Sequence, residues 1–232
     1  MFNMSVSDLT NATSDSTSDL SNPKTRQRVL EAAVEVFTEH GFRKATVRDI
    51  CKRANANIAA INYHFRDKEG LYTAVLQYAH HCACEKYPPQ LGLRGDATLE
   101  QRLQAFVRSL LLRIFDEGRH AWHGKLMSRE MFEPTRALDA LVENNIRPLA
   151  QQLESIVSGL LGARTNSELV RLCTMSIVAQ CVFYHHARPV ISRLYPNQKY
   201  NPDEVGRLAD HITNFSLGAI KEFKKQAGLK KK

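Results

Sequence analysis

Between residues 46 and 68 the chain presents a run of short hydrogen-bonding and cationic side chains: Thr46, Arg48, Asn57, Asn62, Tyr63, His64 and Lys68. Asp49 and Asp67 are the only carboxylates among them. This mixture suits contact with a polyanion. Hydroxyls, Arg and Lys donate to phosphate oxygens, and an Asn amide pairs with the N6/N7 edge of adenine. Charge follows the same division: residues 24–68 hold ten Lys/Arg against five Asp/Glu, whereas residues 1–22 hold three Asp and no base. Catalysis has no comparable foothold. His64, His123, Arg129 and Glu130 supply the residue types of an acid–base site, but no nucleophile elbow, phosphate loop or paired metal motif accompanies them. Neither enzyme activity nor a cofactor is expected.

Two further groups carry chemistry. His80 and Cys84 stand one helical turn apart, beside His81 and Cys82, and could share an ion. Cys-x-Cys is not a usual zinc spacing and no fourth ligand is evident, so no metal site is expected, although a metal- or redox-sensing protein is the alternative this cluster raises. The second group mixes large apolar surface with a few polar atoms, as small-molecule sites do: Trp122, His123, Met127, Met131, Gln180, Phe183 and Tyr184. Core packing competes with that reading for each of them singly. The five cysteines have no regular spacing, which fits a reducing cytoplasm better than a disulfide framework, and Cys173 and Cys181 read as interface filling on one helix face.

The elements that position these groups are helical. Eleven Gly and eight Pro in 232 residues are few, and they fall between apolar stretches. Residues 1–22 are rich in Ser, Thr, Asn and Asp and read as a disordered tail without the marks of a signal peptide; Met4 is an alternative start. Asn22-Pro23 opens a first helix with Val29, Ala32, Ala33, Val36 and Phe37 on one face and Gly41 at its end. Thr46 and Asp49 resemble a capping box for a short second helix with Val47, Ile50, Cys51 and Ala54 inward. Asn57 caps a third, in which Ile58, Ile61 and Phe65 keep core spacing, and Asp67 caps a fourth with Leu71, Val75, Tyr78 and Cys82. The Pro88–Gly95 break separates a DNA-binding domain, 23–83, from a larger one, 84–226, with a basic tail at 227–232. The larger domain reads as helices over 99–114, 122–132, 136–161 (kinked or split at Pro148), from a Thr165/Glu168 capping box through Phe183, and from Asn201-Pro202 through Ile220. No run approaches the roughly 20 apolar residues of a membrane span.

Two short helices at 46–53 and 58–65, joined by a four-residue turn behind a longer helix, form a helix-turn-helix, in which the second helix reads the major groove. Asn57, Ile58, Ala59, Ala60 and Asn62 form the leading and exposed part of that helix, the two alanines suiting thymine methyls. Val47 and Arg48 accompany Thr46 at the start of the helix before it. The runs Ala45–Ile50, Ala54–Asn57 and Tyr63–Leu71, after Ala32-Ala33, Phe37 and Gly41-Phe42, resemble the TetR-family signature. Asn55-Ala56-Asn57 stands where that family usually carries Gly-Val-Ser, and Asn62 where an aromatic residue is frequent. The runs Lys125–Pro134, Ile146–Leu149 and Ala209–Leu217 resemble the CecR-like branch. The resemblance implies an all-α bacterial regulator: a homodimer paired through its last helices, whose operator is a near-palindrome and which a small-molecule effector in the middle helices releases. It assigns DNA contact to Thr46, Val47, Arg48, the recognition-helix residues, Tyr63, His64 and Lys68. A nonspecific DNA binder is the remaining alternative.

Overall fold

The computed structural model describes residues 22–118, 121–162 and 165–229. The expected N-terminal tail, apart from Asn22, and the Lys230–Lys232 end lie outside them. Among the described residues every regular element is helical, and no helix is long and apolar enough to cross a membrane. The chain divides into two compact units: residues up to Ala79 with Lys125–Leu141, and His80–Gly124 with the chain from Val142 onward.

In the first unit, α1 (Pro23–Lys44) starts where the Asn22 side chain accepts from the Lys24 amide, with Pro23 in the first turn. It buries Val29, Ala33, Val36 and Phe37. The backbone breaks at Gly41, whose φ of 74° lies in the left-handed region open to glycine. Then follow α2 (Val47–Ala54), α3 (Ile58–Phe65) and α4 (Lys68–Lys86), the last of which continues into the second unit. Asp67 accepts from the Gly70 amide at 2.8 Å. A side chain at Gly70 would place Cβ 2.1 Å from the Phe65 carbonyl oxygen, so the α3–α4 turn closes only around glycine. Residues from α6 (Trp122–Phe132) and α7 (Ala137–Leu141) complete the unit. Buried Glu130 accepts from the Tyr72 hydroxyl and from Thr135, and Arg129 donates to the Phe37 and Glu39 carbonyls beside the Gly41 break. Burial and the Glu130 carboxylate both push the Tyr72 phenol up, which keeps it a donor.

In the second unit, α5 (Leu99–Ile114) opens with a complete capping box between Thr98 and Gln101. Its Leu103, Phe106, Val107 and Leu111 pack with Leu153 and Val157 of α8 (Arg147–Leu161), Ile177 and Cys181 of α9 (Ser167–His186), and Ile212 of α11 (Pro202–Leu229). Full burial of such side chains contributes about 1.5–3 kcal/mol each. The helix expected over 136–161 is resolved into α7, a π-helical turn at Val142–Ile146 and α8. Pro148 falls in the first turn of α8, where its missing amide proton removes no helical bond. Asn166, not Thr165, caps α9: it accepts from the Glu168 amide, while the Thr165 hydroxyl donates to the Gly162 carbonyl. A short helix, α10 (Arg188–Leu194), precedes α11, which Asn201 caps.

Candidate nucleic-acid interface and a buried polar cluster

Thr46 Oγ1 accepts from the Asp49 amide at 3.1 Å and donates to Asp49 Oδ2 at 2.6 Å. Asp49 thus binds the capping hydroxyl; a full capping box would send its carboxylate to the Thr46 backbone amide. The turn after α2 places Asn55 at φ 46°, ψ 53°, and the Ala56 amide donates to the Cys51 carbonyl at 3.0 Å. Asn57 accepts from the Ala60 amide at 2.9 Å and starts α3. Asn therefore serves the left-handed and capping positions in which Gly and Ser are more usual.

This local geometry gives α3 two faces. Ala60, Ile61 and Phe65 face the core, while Asn57, Ile58, Ala59, Asn62 and Tyr63 are exposed. Two sequence expectations change. Ala60 is only 1% exposed and does not belong to the reading face, whereas Ile58 is 54% exposed and does not point to the core. Ile58 lies in the first turn, beyond the reach of the packed side, which the adjacent Ala60 and Ile61 occupy. Thr46 and Arg48 are exposed and Val47 half-buried. His64 is half-buried, with a buried Nε2 lacking a partner among the described residues and edge contacts to the Tyr63 and Phe65 rings. That placement suits packing. Lys68 lies 4.6 Å above the Phe42 ring and donates to the Arg43 carbonyl at 3.5 Å; burial draws its pKa down.

The structure adds cations that the motif did not single out. Arg43, Lys44, Lys52 and Arg66 are exposed around the same helices, and no ion pair engages them among the described residues. Charge is the only signal they carry in the sequence. Arg53 is otherwise occupied: its guanidinium makes two 2.9 Å bonds to Glu39. An exposed short helix with amide, hydroxyl and aliphatic groups, bordered by free cations, can read base edges and bind phosphates.

In the second unit, four groups meet in the interior. His80 Nδ1 lies 3.2 Å from His123 Nε2, His80 Nε2 lies 3.4 Å from Cys84 Sγ, and Arg113 Nη1 donates to that sulfur at 3.0 Å. Arg113 Nε donates to the Ser109 carbonyl. Burial first, and then the Arg113 charge among others, pushes His80 down to about 4. Burial, the adjacent His80 and Arg113 push His123 to about 3. Both imidazoles are neutral at ordinary pH. The Arg113 guanidinium also donates to Cys84 Sγ, the atom that a shared metal ion would need.

The candidate effector residues are dispersed. His123 joins this cluster; Trp122, Met127 and Tyr184 are half-buried; Met131 is exposed. Gln180 lines a groove of about 340 Å³ between α9 and α11 with Leu172, Ile177, Phe215 and Phe223, donating to the Ser216 hydroxyl. Phe183 is 61% exposed on α9. Arg113 was not anticipated, although an arginine inside Leu110-Leu111-Leu112-Arg113-Ile114 is a visible anomaly.

A helix-turn-helix carried by a larger helical body defines a DNA-binding transcription regulator. Residues 29–75 match the bacterial regulatory proteins of the tetR family, and residues 99–220 match the C-terminal domain of the HTH-type transcriptional dual regulator CecR. The chain belongs to the TetR family, in the branch with a CecR-type C-terminal domain, and it is not an enzyme. CecR of Shigella flexneri is 28% identical over 174 residues, 72% of this chain and 78% of that protein. The transcriptional repressor NicS of Pseudomonas putida is 29% identical over 177 residues, 73% and 79% of the two chains. Among solved structures, AibR in complex with isovaleryl coenzyme A and operator DNA superposes with a TM-score of 0.57 at 17% identity, covering 83% of this chain and 97% of that one.

Proposed function

We propose that this regulator is a cytoplasmic repressor that binds a near-palindromic operator as a homodimer and leaves it when a small molecule binds the C-terminal unit. The exposed face of α3 carries the reading: Asn57, Ile58, Ala59, Asn62 and Tyr63 stand clear of the core between Arg48 and Lys68. Arg48 holds the phosphate backbone at the start of α2, Thr46 joins it by turning the hydroxyl that otherwise donates to Asp49, and Asn62 reads a base. Pairing through α9 and α11 sets two reading heads about 34 Å, or a multiple of that, apart along the duplex. NicS is described as a repressor and AibR was solved with both an acyl thioester and operator DNA, which supports repression and effector control here. The effector acts by favouring a conformer with the wrong head separation, which requires that it bind the two states unequally.

The test is binding of the purified chain to DNA upstream of its own gene, with random duplex as control and salt varied. Sequence-selective, salt-sensitive binding of one dimer per site is the expected result. Equal affinity for both duplexes would sink the operator reading and leave a nonspecific DNA binder.

A further inference from the structure

Arg113 is the most anomalous side chain in the second unit. It is 1% exposed, and a guanidinium stays protonated at any accessible pH. A buried charge persists only with a counter-charge. Yet its partners are the Ser109 carbonyl and the Cys84 sulfur, and among the described residues no Asp or Glu pairs with it. One polar atom of the cluster, Arg113 Nη2, is buried without a partner, whereas the His123 ring is bonded to the Arg113 backbone. Arg113 and His123 are each more than nine-tenths buried. The cluster is thus complete except for one acceptor carrying one negative charge.

We propose that the interior of the second unit is a carboxylate-binding site anchored by Arg113, beside the His80–His123 imidazole pair, and that the effector is a small organic acid. This rests on the effector control proposed above and names its chemical class. A guanidinium and a carboxylate are matched forks that form two parallel bonds. One fixed cation beside two neutral imidazoles balances a monoanion; a phosphate dianion would leave buried charge of the opposite sign. The imidazoles bond to each other and the guanidinium leans on a thiol, a weak acceptor.

The test uses the full chain, Arg113→Met and Arg113→Lys. Thermal melts are run in sodium acetate and sodium benzoate against sodium chloride of equal ionic strength, with sodium phosphate as the control anion. The wild type melts several degrees higher in the carboxylates than in chloride, and the gain saturates. Arg113→Met shows no such gain and in chloride melts above the wild type, by about 2–4 °C, because an uncompensated buried charge is gone. Should Arg113→Met fail to fold, Arg113→Lys keeps the charge without the fork and is expected to show a weakened carboxylate gain. A wild type indifferent to carboxylate, or a gain that survives in both variants, overturns the site. A larger gain in phosphate overturns its chemical class. Retention on DNA is measured separately with the same proteins. Carboxylate-dependent stabilisation without release leaves the site standing and sinks effector control, whereas release by an acid in both variants does the reverse.

Discussion

Asn55 and Asn57 show how much of the reading head a single residue decides. Asn55 holds φ 46°, ψ 53°, a conformation that costs a β-branched residue roughly 1–2 kcal/mol. Asn55→Gly should leave the urea midpoint nearly unchanged and Asn55→Val should lower it; equal effects would mean that the turn conformation is not limiting. Both asparagines were legible because their chemistry is local. The two faces of α3 were not: its first four residues are all apolar, so periodicity inside eight residues cannot separate Ile58 from Ala60, and only packing against neighbouring helices does. Arg48, exposed beside that face, is expected to act through phosphate. Arg48→Ala should weaken operator and random duplex by similar factors and flatten the log–log salt slope by about 1; a loss confined to the operator would make it a base reader instead. The histidine pair gives a prediction with a definite sign. His80 and His123 have folded pKa values of about 4 and about 3, below the unfolded value of 6.5. Below that value the unfolded chain binds the extra protons. Stability is therefore fully present above pH 6.5 and is lost as pH falls through 6.5 toward 4, by up to about 1.4 kcal/mol per pH unit for each ring. His80→Gln with His123→Gln should flatten urea stability between pH 6.5 and 5 relative to the wild type, and an unchanged slope would mean that other groups dominate.

At the scale of elements, helix starts were the most readable features, since Asn22, Thr46, Asn57, Asp67 and Asn201 each cap as their type and spacing suggest. Misreadings arose where two candidates stood side by side. Thr165 and Asn166 both precede Ser167, and the shorter path from the Asn166 side chain to the Glu168 amide settles the competition. The π-helical turn before Pro148 was foreseen only as a kink or a split, because a proline predicts that a helix must adjust and not how. Gly70 is a sharper case. In sequence it looks like a weak point in the first turn of α4, yet its hydrogen approaches the Phe65 carbonyl where a Cβ would lie at 2.1 Å. The usual exchange of an exposed helical Gly for Ala stabilises a helix by up to about 1 kcal/mol. Here the sign reverses. Gly70→Ala should lower the melting temperature and weaken DNA binding together, because the α3–α4 turn both closes the three-helix core and aims Tyr63 and Lys68. A variant as stable as the wild type would show that the turn can open without consequence.

For the molecule as a whole, the open question is what covers α9 and α11. Phe183, Phe215, Leu172 and Met175 are all more than half exposed on these two helices, and the groove between them is lined mainly by carbon. Isolated exposed apolar residues are ordinary; four large ones on two long helices, with Leu172 and Phe215 on one groove, mark an association surface. In the proposed dimer the same face of a second copy covers it, giving an isologous four-helix interface. Phe183 was read from the sequence as a pocket residue because an aromatic on a C-terminal helix suits either role, and its 61% exposure moves the weight to the interface. Charges placed here should separate the subunits and spare each protomer, since the side chains already face water. We expect Phe215→Glu combined with Phe183→Glu to shift the mass by light scattering from twice the chain mass to one, with helicity retained. Operator affinity should fall by more than about tenfold, because the second half-site then binds without the effective concentration that tethering supplies. A double variant that stays dimeric would place the interface elsewhere. A monomer that keeps full operator affinity would show that one reading head suffices and would overturn the palindromic mode.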